Sequence, residues 1–133
     1  MSNLAIQFLN DEEQPVTQEA VDELILQIRN AQIKSALLAL DEYGEEDFLY
    51  VEIENGCAAL AFNTWDEKGN AQMYQPINPK YEKSQEDAPV NIGGQTPVLK
   101  RNMLDDLNLA AECVLHFAKT GELYSGLKWV EAE

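Results

Sequence analysis

Two amphipathic helical stripes, separated by a run of short apolar-rich segments, predict an α+β fold: a mostly antiparallel β-sheet packed by two α-helices. The first stripe is Val21, Leu24, Ile25 and Ile28, and the second is Met103, Leu107, Ala110, Ala111, Val114, Phe117 and Ala118. Both recur at helical spacing. Between them, Asn55-Gly56 joins two strand-like segments. Both residues accept positive φ, which is the signature of a two-residue type I′ hairpin. A chain of 133 residues, 45% of them hydrophobic, suits one core, so a single domain over residues 1–133 is expected.

In chain order, Leu4, Ile6 and Phe8 alternate with Ala5 and Gln7 and predict a first strand, followed by an acidic loop over residues 10–14. Thr17 is the expected N-cap of the first helix, with Glu19 in its first turn and Asp22 and Glu23 facing water. That helix is expected to end near Asn30 or Ala31, because Asn tolerates left-handed φ. Residues 36–40, 48–54 and 57–64 read as three successive strands. In the middle one, Leu49, Val51 and Ile53 face one way, while Phe48, Tyr50, Glu52 and Glu54 face the other.

Residues 65–70 form a second turn leading to a strand over 71–75. Pro76, Pro79 and Pro89 bracket a polar segment, residues 78–88, which reads as a surface loop with some mobility. Residues 90–92 and 96–99, around Gly93-Gly94, predict a small hairpin or edge strand. The second helix is expected over residues 102–121, with Asn102 as N-cap, Asp105 and Asp106 at its positive end, Lys119 at its negative end and Gly121 closing it. Residues 127–130 then read as a terminal strand.

The closing segment carries a family pattern. A helix containing Ala110, Ala111, Glu112, Cys113, Val114, Leu115, His116 and Phe117 ends in Ala118-Lys119 and Thr120-Gly121-Glu122; Gly126 and a strand with Trp129 follow. This run resembles the type-one immunity protein family of bacterial polymorphic-toxin systems. The Gly93-Gly94 turn and Pro97-Val98 are similar to it as well, and the likeness extends over roughly residues 37–131, its most specific part being the last third. Tyr124 stands where many members have proline. The resemblance implies a non-catalytic antitoxin that binds the C-terminal domain of a cognate toxin, often one of the nucleobase-deaminase fold. It implies no catalytic motif and no cofactor.

Charge points the same way without the resemblance. The chain has 24 acidic against 9 basic side chains, a net charge of −15 and a pI near 4.2. Residues 1–54 hold 13 of the acids against only Arg29 and Lys34. Such a field repels nucleic acid and anionic membrane and attracts basic protein partners. Neither a basic leader nor an apolar run of about 20 residues is present, so a cytoplasmic protein, monomeric when free, is expected. Cys57 and Cys113 lack partners at ligand spacing and read as buried thiols.

Catalytic and metal readings find little to stand on. His116 is the one histidine, with no nucleophile or carboxylate identifiable as its partner, and Glu112, one turn earlier, would supply only a second metal ligand. Neither acidic loop, residues 41–47 or 66–70, follows the ligand order of a calcium loop. Binding is better supported. Tyr43, Tyr50 and Trp65, with Phe48, fall among Glu42, Glu45, Glu46, Asp47, Glu52, Asp66 and Glu67, giving rigid aromatic surface beside carboxylates that pair with Arg and Lys. These acids, with Tyr43, Tyr50 and Trp65, form the expected toxin-binding surface.

Overall fold

The computed structural model describes residues 5–7, 14–15, 18–39, 47–92, 96–120 and 122–131. In chain order the elements are β1 (Ala5–Gln7), β2 (Gln14–Pro15), α1 (Gln18–Arg29), β3 (Ser35–Ala39), β4 (Phe48–Glu54), β5 (Cys57–Trp65), β6 (Ala71–Pro76), β7 (Asp87–Ile92), β8 (Thr96–Leu99), β9 (Met103–Leu104), α2 (Leu107–Thr120) and β10 (Trp129–Glu131). The α+β prediction holds. The main sheet runs β10-β6-β5-β4-β3-β1-β2, all neighbours antiparallel, with β9 also pairing β5. No helix among the described residues is long and apolar enough to cross a membrane.

Both helices lie on one face of this sheet. Val21, Leu24, Ile25 and Ile28 of α1 and Ala110, Ala111, Cys113, Val114, Phe117 and Ala118 of α2 are buried against Leu38, Leu49, Val51, Ile53, Ala58 and Leu60. Phe117 meets Phe62 edge to face, centroids 5.8 Å apart, a contact worth about 1 kcal/mol beyond its area. Arg29 reaches Glu112 across the two helices at 3.5 Å, so Glu112 is engaged with a base.

The predicted Asn55-Gly56 hairpin is present. Asn55 and Gly56 sit at φ 54° and 76°, and Glu54 pairs with Cys57, so the type I′ turn sets the β4–β5 register. α1 also ends where expected, but through Ala31 at φ 53°. The Ala31 amide donates to the Ile28 carbonyl and the Gln32 amide to that of Gln27, a Schellman closure built on an alanine.

The start of the second helix differs from the prediction. Asn102 is not its N-cap: it is buried in a short 3₁₀ turn, Lys100–Asn102, and donates to the Pro76 carbonyl at 3.2 Å. Met103 and Leu104 pair with Ala59 and Ala58, and Asp106 caps the helix by accepting from the Asn108 amide at 2.9 Å. The polar segment after β6 is also more organised than a mobile loop. Asn78, 4% exposed, caps the 3₁₀ turn Pro79–Tyr81 and donates to the Met103 carbonyl at 3.0 Å and to Asp105 at 3.1 Å. Thr17, Gly93, Gly94 and Gly121 lie outside the described residues, as do Leu4, Phe8 and Leu40.

β7 and β8 form a separate two-stranded sheet lying across the other face of β4 and β5. Val90 and Val98 close a second small core with Cys57, Ala59 and Met103. Pro89 is accommodated because this hairpin lies outside the main sheet, and its carbonyl accepts from the Asn55 side chain at 2.7 Å.

Candidate binding face

The hairpin covers only one end of that second face. Residues directly opposite in an antiparallel pair share a face, and so do residues two apart. Ser35, Glu52 and Ala59 therefore form one row, Leu37, Tyr50 and Ala61 the next, then Phe48, Asn63 and Met73, and last Trp65 with Ala71. Toward the Asn55-Gly56 turn the rows are buried beneath Val90 and Val98. Toward the other end Leu37, Phe48, Asn63 and Met73 are half-buried and Trp65 is 51% exposed.

This placement divides the predicted site residues. Tyr50 and Glu52 are buried, 7% and 2% exposed, and the Tyr50 hydroxyl donates to Glu52 Oε1 at 2.6 Å. The expectation that they present an aromatic and acidic surface is corrected: Leu49–Ile53 of β4 are buried on both faces, and on the face that alternation assigns to solvent β7 packs across the strand. Asp47, Trp65, Asp66 and Glu67 lie at one end of the sheet, but Asp47, bonded to Thr64, is on the helix side and Trp65 on the other. Glu42, Tyr43, Glu45 and Glu46 belong to residues 40–46, outside the described residues.

The acids at this end are fixed to different degrees. Asp47 accepts from the Thr64 hydroxyl at 2.6 Å, tying the start of β4 to β5. Asp66 organises the β5–β6 turn, accepting from the amides of Lys68 at 2.9 Å and Asn70 at 2.8 Å and from the Asn70 side chain at 3.1 Å. The Asn70 amide is the main reason its carboxyl sits below the usual carboxylate range, so it is charged at neutral pH. Glu67 is exposed. Trp65 thus projects from the last residue of a strand whose following turn is held by a single aspartate.

His116 is half-buried rather than fully on the surface, its ring edge against Tyr124 with centroids 5.8 Å apart. Among the described residues no three His, Cys, Asp or Glu side chains group as a metal site. Cys57 and Cys113 are free and buried as expected, and burial pushes the Cys113 thiol up to about 12. Sequence reasoning missed Leu37 and Met73, because only the strand pairing places them beside Phe48 and Trp65.

The residues on which the resemblance rests serve packing. Phe117 lies in the core, and Trp129 Nε1 donates to the Tyr124 carbonyl at 3.0 Å. Gly126 lets the Tyr124 ring come close: a Cβ there would meet ring carbons at 2.5–2.6 Å. Comparison with protein families, curated proteins and solved structures gave no match.

Proposed function

We propose that this chain is an immunity protein, a non-catalytic cytoplasmic antagonist that binds a cognate bacterial polymorphic-toxin domain and blocks its active site or substrate groove. The observation that carries the reading is Trp65, an aromatic half in solvent, held beside Asp66 and Glu67 on a pinned turn in a chain of net charge −15. Exposed Trp is a favoured interface anchor, and carboxylates around it select a basic partner. The resemblance of residues 110–131 to the type-one immunity family supplies the class of partner: a toxin domain acting on nucleic acid, such as a deaminase, whose substrate groove is basic. In this reading the partner is that protein alone, without nucleic acid, membrane or cofactor, and the chain is a monomer when free.

A second reading, an acidic nucleic-acid mimic, is favoured by the net charge alone. It predicts binding to many basic proteins and steep loss with salt. Affinity capture from the native host at low and high salt, with mass spectrometry of what is retained, separates the two. One secreted protein held through its C-terminal domain at high salt supports the antagonist. A broad set of nucleic-acid-binding proteins released by salt overturns it in favour of the mimic.

A further inference from the structure

We infer that the β7–β8 hairpin is a lid that lifts from the main sheet while the rest of the fold stays closed, exposing Cys57 and the Tyr50–Glu52 pair. The two strands of the hairpin pair with each other, and among the described residues no strand ladder joins them to the main sheet. Their own ladder shifts register between Asp87 and Asn91. Side-chain packing on the face of β4 and β5 therefore does most of the holding.

That packing is small and separate from the main core. Among the described side chains the hairpin contributes Val90 and Val98, with Ala88 partly buried, to a cluster completed by Cys57, Ala59 and Met103. The larger cluster, between the helices and the opposite face of the sheet, includes Leu24, Ile28, Leu49, Leu60, Cys113 and Phe117 and has no buried residue in common with the smaller one. The free energy of opening a unit follows the apolar surface it buries, so the hairpin opens before the main core does. The bond from the Asn55 side chain to the Pro89 carbonyl is exposed, and water replaces it at little cost.

The residues beneath lower the cost further. Ser35 and Ala59 flank Glu52 in one row of this face, and the Tyr50 hydroxyl, one row on, donates to Glu52 at 2.6 Å. All four are buried. Hydroxyl and carboxyl groups regain water when uncovered, so exposing this row costs less than exposing an apolar one. The pivot is fixed as well. Below the ends of the hairpin, the Asn78 amide donates to the Arg101 carbonyl at 2.7 Å, and the Asn78 and Asn102 side chains donate to the Met103 and Pro76 carbonyls. β9 therefore stays on the sheet while the hairpin swings. Open, the face presents Tyr50 and Glu52, and this holds whatever the chain binds.

The test follows iodoacetamide labelling of the two thiols in the full chain, assigned by peptide mass spectrometry, at rising urea below the unfolding midpoint. Each rate is divided by that of the same thiol in the unfolded chain. Cys57 is expected to label about a hundredfold or more faster than Cys113, with a shallower dependence on urea, because lifting the hairpin exposes less surface than global unfolding. Ile28→Val, which thins the main core at a fully buried site, is expected to speed Cys113 about two- to tenfold and leave Cys57 unchanged. Asn55→Gly keeps the turn's positive φ and removes the bond to Pro89; it is expected to speed Cys57 about two- to tenfold.

Equal protection of the two thiols, with equal urea slopes and an equal response to Ile28→Val, overturns the lid and makes the hairpin part of one cooperative unit. Labelling of Cys57 that ignores both urea and Asn55→Gly overturns it too, since the thiol is then reached with the hairpin closed.

Discussion

Replacing Asn78 with alanine is expected to destabilise the protein by about 2–4 kcal/mol, a large effect for a residue in a segment that reads as loop. Its Nδ2 group donates to the buried Met103 carbonyl and to Asp105, and its Oδ1 accepts from the Lys80 amide at 3.0 Å. Alanine leaves the Met103 carbonyl without that donor, at about 1–3 kcal/mol, and removes a cap worth about 1 kcal/mol. The Asp105 contact adds little, because Lys80 still reaches that carboxylate at 2.6 Å. With an unfolding entropy of about 2.1 cal/mol/K per residue, a loss of about 3 kcal/mol lowers Tm by roughly 10 °C. Urea denaturation reads the effect as a lower midpoint at unchanged slope. Asn78→Asp is the control: it keeps the acceptor for Lys80, loses the donor and sets a second carboxylate against Asp105, so at neutral pH it is expected to be at least as unstable as the alanine variant. An Asn78→Ala protein within about 0.5 kcal/mol of the parent refutes the argument that this side chain anchors residues 78–88 to β9.

Further outcomes follow from other residues. Ala31→Gly is expected to stabilise by about 0.5–1 kcal/mol, because Ala31 is exposed and sits at φ 53°, where a Cβ is strained; thermal melting checks the sign. Asp66→Ala is expected to speed amide hydrogen exchange through residues 66–70 by about tenfold or more while Tm moves by only about 2 °C, since the turn is exposed and local. Asp105 is held below the usual carboxylate range chiefly by the Lys80 hydrogen bond, so its contribution is present above the unfolded value near 3.9 and is lost as pH falls through the folded one. Lys80 is raised by the same hydrogen bond, so its part is present below about 10.4 and is lost as pH rises through its folded value. Asp105→Asn is therefore expected to cost about 0.5–1 kcal/mol between about pH 5 and 9, with the gap to the parent closing as pH falls below the unfolded carboxylate value near 3.9 and through the lower folded one, as read by denaturation at each pH. Reversing Glu45, Glu46 and Asp47 together to Lys is expected to slow association with a captured toxin domain at least tenfold at low salt, and an unchanged rate removes these residues from the interface.

What the sequence made legible follows the range of each signal. The Asn55-Gly56 turn and the α1 stripe are local, and both appear in the structure where their chemistry puts them. The sequence places the N-cap of the second helix four residues too early, at Asn102 instead of Asp106, because Met103 falls in phase with Leu107 and Ala110, and periodicity cannot tell a helical turn from a strand that pairs with β5 and then feeds a helix. Asn102 looked like a cap by residue type, whereas its side chain is spent on the Pro76 carbonyl from across the fold. Tyr50 and Glu52 were assigned to the surface because alternation distinguishes two faces without saying what covers the second. The β7–β8 hairpin, more than 30 residues later, decides that. Met73 and Leu37 entered the candidate face for the same long-range reason, and Trp65 was legible because it abuts a turn rich in acids.

The most direct test of the antagonist reading is neutralisation at defined stoichiometry. The toxin domain captured from the host is expressed in a sensitive cell with and without this chain, and its activity on nucleic acid is titrated in vitro with the purified protein. The account predicts full rescue of growth and inhibition complete at one chain per toxin domain. Toxicity undiminished by a folded, co-expressed chain that still binds the domain would contradict it.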